Sequence, residues 1–87
     1  MASVNVVSVD ENGVQVLAQD NARTGYTLEH KSGDPIEFAY GVAAEFGKGF
    51  TLTSSKPNFD VPAHMASFGL FAITDTGTSG TVGVAEA

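Results

Sequence analysis

Side chains that favour burial recur along this chain at every second position, not at the three-and-four spacing of a helix. The alternation runs through Val4 and Val6, then Val7 and Val9, Val14 and Val16, the Tyr26, Leu28 and His30 series, and Ile36, Phe38 and Tyr40. It resumes in Phe50 and Leu52, in Phe68, Leu70 and Ala72, and in Val82 and Val84. A period of two gives a strand one buried and one wet face.

Turn formers punctuate these runs. Asn12-Gly13 between SVNVVSVDE and VQVLA is a hairpin signal, because a tight primed turn needs positive φ. It predicts an N-terminal hairpin over residues 1–18 that engages a partner chain. Ser32-Gly33-Asp34-Pro35 divides YTLEH from IEFAY in the same way, and further breaks fall at residues 47–49, 54–58 and 75–80. Residues 42–46 fit either one helical turn or a bulged strand. Seven or eight short strands, about 8 to 12 residues apart, predict an all-β fold: a single small antiparallel β-sandwich or β-barrel over residues 1–87.

With 87 residues, such a domain buries only about 60 to 65% of the surface of its unfolded chain. Small domains compensate with disulfides, metals or partners. Cys is absent and the only histidines are His30 and His64, so association is the expected supplement. The 4 basic and 10 acidic residues give a net charge of -6, which disfavours a nucleic-acid partner, since affinity for phosphate backbones comes from Lys and Arg. An acidic surface also repels anionic membranes. No window approaches about 18 apolar residues, and the N-terminus lacks a basic and apolar leader, so synthesis in the cytosol is expected. Absence of Cys fits a reducing compartment.

The stretch FAITDTGTSG contains Asp75-Thr76-Gly77-Thr78-Ser79, the signature of aspartic proteases. That mechanism needs two carboxylates sharing a proton in a cleft. Only ten residues follow Gly77, too few for both walls and a lid. Asp, Thr, Ser and Gly are also what a turn between two strands favours, and that is the reading adopted: no catalytic residue is expected.

Two histidines outside any HxxxH or HExxH spacing predict no zinc site. Asp10-Glu11-Asn12-Gly13 and Asp20-Asn21 lack the alternation of a calcium loop and read as turns. The glycines at positions 41, 47 and 49 match neither dinucleotide nor P-loop spacing. No metal, cofactor or small-molecule substrate is expected.

The order of elements carries a resemblance. Asn21 and Arg23 precede Tyr26-Thr-Leu28-Glu-His30-Lys-Ser32 and Ile36-Glu-Phe38-Ala-Tyr40-Gly41. Gly49-Phe50-Thr-Leu52, Leu70-Phe-Ala72-Ile73, the turn at 77–80 and Thr81-Val82-Gly-Val84-Ala-Glu86 follow. Over residues 20–86, about three quarters of the chain, this succession resembles a loosely defined group of small β-rich structural proteins of tailed-phage particles. Two departures stand out. Thr53-Ser-Ser-Lys-Pro57 replaces a common Pro-Gly, and residues 3–9 have no counterpart.

The resemblance implies a non-enzymatic virion component, foremost a capsid decoration or cement protein on the head exterior, made in the host cytoplasm. Its partners would be the major capsid protein and copies of itself. A tail, head-tail or fibre-associated protein is the alternative within the virion, and a stand-alone cellular β module the alternative outside it. Residues 3–9 are apolar on both faces through Val4, Val6, Val7 and Val9. They read as a central strand or one buried against another chain; we take the second, making those four valines the expected partner interface.

Overall fold

The computed structural model describes residues 3–45 and 49–86, with the side chains of Ser3 and Val4 outside the description. Eight strands follow one another: β1 Ser3–Asp10, β2 Val14–Leu17, β3 Tyr26–Gly33, β4 Ile36–Tyr40, β5 Phe50–Leu52, β6 Asn58–Val61, β7 Leu70–Thr74 and β8 Ser79–Glu86. Among the described residues, the one helical element is a 3-10 turn, Ala63–Met65, which holds His64. Residues 42–45 are irregular and form no helix; residue 46 lies outside the described residues.

The strands form two four-stranded antiparallel sheets, ordered β1-β8-β3-β6 and β2-β7-β4-β5. The fold is therefore all-β as predicted, and of the two expected forms, sandwich and barrel, it is the sandwich. β1 and β2 are both edges, β8 and β7 both lie second, β3 and β4 third, and β6 and β5 fourth. This is jelly-roll connectivity, in which successive strands alternate between sheets. Only β4 and β5 are joined within one sheet.

The expected N-terminal hairpin over residues 1–18 is corrected by this topology. β1 pairs with β8 and β2 pairs with β7, so residues 11–13 arch from one sheet to the other. The backbone shows why. A primed hairpin turn needs positive φ at both central residues, yet among the described residues only glycines have it, and Gly13 at φ 79 lies after the central pair Glu11 and Asn12. The Gly13 amide donates to the Asp10 carbonyl at 3.2 Å, closing an ordinary turn that redirects the chain across the gap of about 10 Å between sheets. The turns at residues 32–35 and 75–80, which the sequence suggests as hairpins too, are arches of the same kind, since β3 and β8 lie in one sheet and β4 and β7 in the other.

Register places these arches together. Asp10 faces Ser79, Gly33 faces Gly80, and Ile36 faces both Thr74 and Leu52. One end of the sandwich is thus built of tight arches, while the other carries the longer connections and the last residues of β8. The inward series, including Leu28, Ile36, Phe38, Leu70 and Val82, forms the core between the sheets. Phe50 links one side of it, stacking on Phe38 at 5.3 Å and touching Phe59 at 4.8 Å.

Two local findings depart from the pattern. Phe68 precedes β7 and is 43% exposed, so the strand begins two residues later than the alternation implied. β6 was not read as a strand; it contributes just two inward side chains, Phe59 and Val61, between Pro57 and Pro62.

The open end contains two phenol groups, Tyr26 and Tyr40, whose hydroxyls are buried with no hydrogen-bond partner among the described residues. Burial raises both above the ordinary phenol value, and for Tyr26 the neighbouring Tyr40 adds to the rise while Arg23 opposes it. Above about pH 10 the unfolded chain releases these protons while the folded chain retains them. Stability is therefore expected to fall with rising pH there, by up to about 1.4 kcal/mol per pH unit for Tyr26. Urea titrations of the native chain and Tyr26→Phe across pH 9 to 11 check this, the variant losing that part of the slope. Because an orphaned hydroxyl costs free energy, Tyr40→Phe is expected to be neutral or stabilising by up to about 1 kcal/mol.

Candidate partner interface

The four sequence-derived interface residues separate into different environments. All eight residues of β1 pair with β8 in one unbroken register, from Ser3 opposite Glu86 to Asp10 opposite Ser79. Val7 and Val9 share the inward face with Val82; Val9 is 2% exposed and Val7 packs against the core. These two stabilise the chain's own fold, which corrects the expectation that they meet a partner. Val6 points the other way and is 63% exposed. Its neighbour in register is Gly83, which offers no side chain to cover it. The backbone of Val4 lies opposite Ala85 in the register.

What β1 presents is therefore a backbone edge and Val6, with exposed Asn5 and Ser8 beside it. Sheet edges expose unpaired amides and carbonyls, and proteins usually blunt them with bulges, charges, prolines or very short strands. The other three edges carry such devices. β2 has four residues and a bulge between Gln15 and Leu17. β5 has three residues. β6 has four, bracketed by prolines, and carries Asp60, which accepts a hydrogen bond from the Thr27 hydroxyl at 2.9 Å. β1 has eight residues, no proline, no bulge against β8 and no charge before Asp10.

No family model matches this chain, and no curated protein or solved structure does either.

The arch end next to β1 is acidic, and its carboxylates serve the turns. Asp10 accepts the Asn12 amide at 2.9 Å, Glu11 the Gly77 amide at 3.2 Å, Asp34 the Ser79 amide at 3.3 Å and Asp75 the Thr76 amide at 2.8 Å. The Asp-Thr-Gly motif is thus an exposed turn, closed further by the Thr78 amide and hydroxyl donating to the Asp75 carbonyl. A shallow depression of about 340 Å³ lies here, bordered by Ser8, Asp10, Ser32 and Thr81, and the Ser32 and Thr81 hydroxyls are bonded to each other at 2.6 Å.

The remaining buried polar groups also hold backbone. His30 is 6% exposed and donates from Nε2 to the Asp34 carbonyl at 2.8 Å. Glu37 accepts the Gly49 amide at 2.6 Å and the Thr51 hydroxyl at 2.8 Å, fastening the β4–β5 connection. Among the described residues, no three His, Asp or Glu side chains converge into a metal-binding group.

Proposed function

We propose that this chain is a non-enzymatic structural protein of a tailed-phage virion, a decoration protein on the capsid exterior whose β1 edge pairs with a neighbouring chain on the particle. The observation carrying this reading is the asymmetry of the edges: three are blunted, and the longest is bare and carries an exposed Val6. Strand addition at a sheet edge draws affinity from main-chain hydrogen bonds and needs no deep pocket.

Three further features support it. The resemblance over residues 20–86 points to particle proteins. Jelly-roll sandwiches recur in viral capsid domains, although they also build lectins and other proteins. A small acidic domain repeated by capsid symmetry can hold through weak individual contacts, because multivalency multiplies them.

The test is made on native particles. Electron cryomicroscopy is expected to show copies on the order of hundreds over the head lattice; a handful at the tail, or none, overturns the reading. Val6→Lys, which places a charge on the edge without touching the core, is expected to reduce particle occupancy by about tenfold or more at equal protein concentration. Deleting the whole segment is a poorer experiment, because it also removes Val9 from the core.

A further inference from the structure

We infer that the occupant of the β1 edge is β1 of a second copy, the two strands pairing antiparallel about a two-fold axis to join two four-stranded sheets into one of eight. This rests on the reading of β1 as the contact edge and adds its partner and register.

Geometry limits the registers. In an antiparallel pair, directly opposite residues share a face. If both sandwiches lie on the same side of the joined sheet, an inward residue must therefore oppose an inward residue. Inward positions here are odd and outward ones even: Val7 and Val9 inward, Val6 and Ser8 outward. Opposed residue numbers must then sum to an even number.

Among those registers, one uses the strand best. Placing Val6 opposite Val6 of the second copy sets Asn5 opposite Val7, Val4 opposite Ser8 and Ser3 opposite Val9. Every residue from 3 to 9 is then paired, and this stretch contains no charge. Asp10 projects past the paired region, so neither copy's acid faces the other's. Shifting the centre to Val7 sets Asp10 opposite Val4 and the polar Asn5 opposite Val9; shifting it to Asn5 shortens the overlap.

The self-pairing explains two features together. An uncharged strand lets two chains of net charge -6 approach along the one long edge that adds no like-charge opposition. The space over Gly83 is filled by the Lys31 stem, whose Cε would stand 2.8 Å from an added Cβ, so what the outer face offers the seam is the 63% exposed Val6 side chain itself. A single strand pair buries less than the roughly 1,200 to 2,000 Å² of a stable standard interface, so the dimer is weak and forms on concentration or on a lattice.

Single-cysteine variants of the full chain test both pairing and register, because the native sequence has no cysteine. In the proposed register the two Val6 Cα atoms lie about 4.5 to 5.5 Å apart, within disulfide reach. The two Ser8 Cα atoms are about 14 Å apart, beyond it. Val6→Cys is expected to yield a covalent dimer under mild oxidation, while Ser8→Cys stays monomeric under the same conditions. In sedimentation equilibrium, native chain is expected to self-associate and Val6→Lys to weaken this by about tenfold or more. Circular dichroism confirms that each variant remains folded. Trapping of Ser8→Cys without Val6→Cys, equal trapping of both, or a native chain monomeric at every concentration overturns the inference. A strictly monomeric chain that still decorates heads overturns it and leaves the proposed function standing; a dimer that never decorates heads does the reverse.

Discussion

Arg23→Ala is expected to lower stability by about 3 to 5 kcal/mol. The Arg23 side chain is only 6% exposed, and its guanidinium ties four segments of the open end. Nε donates to Glu86 Oε1 at 2.7 Å, reaching the last residue of β8. One terminal nitrogen donates to the Ala66 carbonyl at 3.0 Å and the other to the Ala18 carbonyl at 2.9 Å. The group also lies 5.6 Å from the centre of the Tyr26 ring. Truncation removes a charge-assisted network and leaves carbonyls to find other donors, each lost bond to a charged group costing about 1.5 to 3 kcal/mol. Arg23→Lys is expected to recover only part of the loss, because an ammonium cannot reproduce the planar fork. Guanidinium melts give the free energies, and the thermal midpoint should drop by roughly 15 to 30 °C. A cost below about 1 kcal/mol would show that the network is exchangeable with water.

Gly33→Ala is expected to cost about 2 to 4 kcal/mol. Gly33 closes β3 at φ 91, a conformation that L side chains rarely adopt. An added Cβ would also stand 2.5 Å from the Ser79 carbonyl oxygen and 2.6 Å from Gly80 Cα. Both atoms are backbone, so the clash is relieved only by moving β8 away from β3. The Asp34 amide donates to that same Ser79 carbonyl at 2.9 Å, so displacement also loosens the neighbouring arch. Gly77→Ala is the control: it has φ 78 but meets nothing within 4 Å, so it isolates the conformational cost, about 1 to 2 kcal/mol. Equal costs at the two glycines would mean that β3 and β8 separate without penalty.

The elements were legible because burial in a sandwich imposes the pleat's own period. Leu28, Phe38 and Val82 stand where the alternation put them. β6 was not legible, since two inward residues between prolines make too short a pattern. In the sequence Arg23 stands out only as a residue that, with Asn21, precedes the Tyr26 run. Its role depends on the Ala66 carbonyl and on Glu86, 43 and 63 residues further along, together with the nearby Ala18 carbonyl, and no local pattern encodes their convergence.

The candidate interface divides in the same manner. Four valines in residues 3–9 announced an unusual strand, but all four looked alike. Val9 and Val6 parted once β8 lay alongside, because the pairing decides which face of β1 meets the core.

From the letters alone came the all-sheet class, seven of the eight strands and the positions of most turns, since each depends on neighbours a few residues apart. Which sheet each strand joins, which edges are left bare and which valine meets solvent belonged to the tertiary structure. Asn12-Gly13 turns the chain in either case. Whether the next strand lands beside β1 or across the core is settled by competition for partners, and β8 and β7, more than 50 residues further along, are the strands that β1 and β2 pair with.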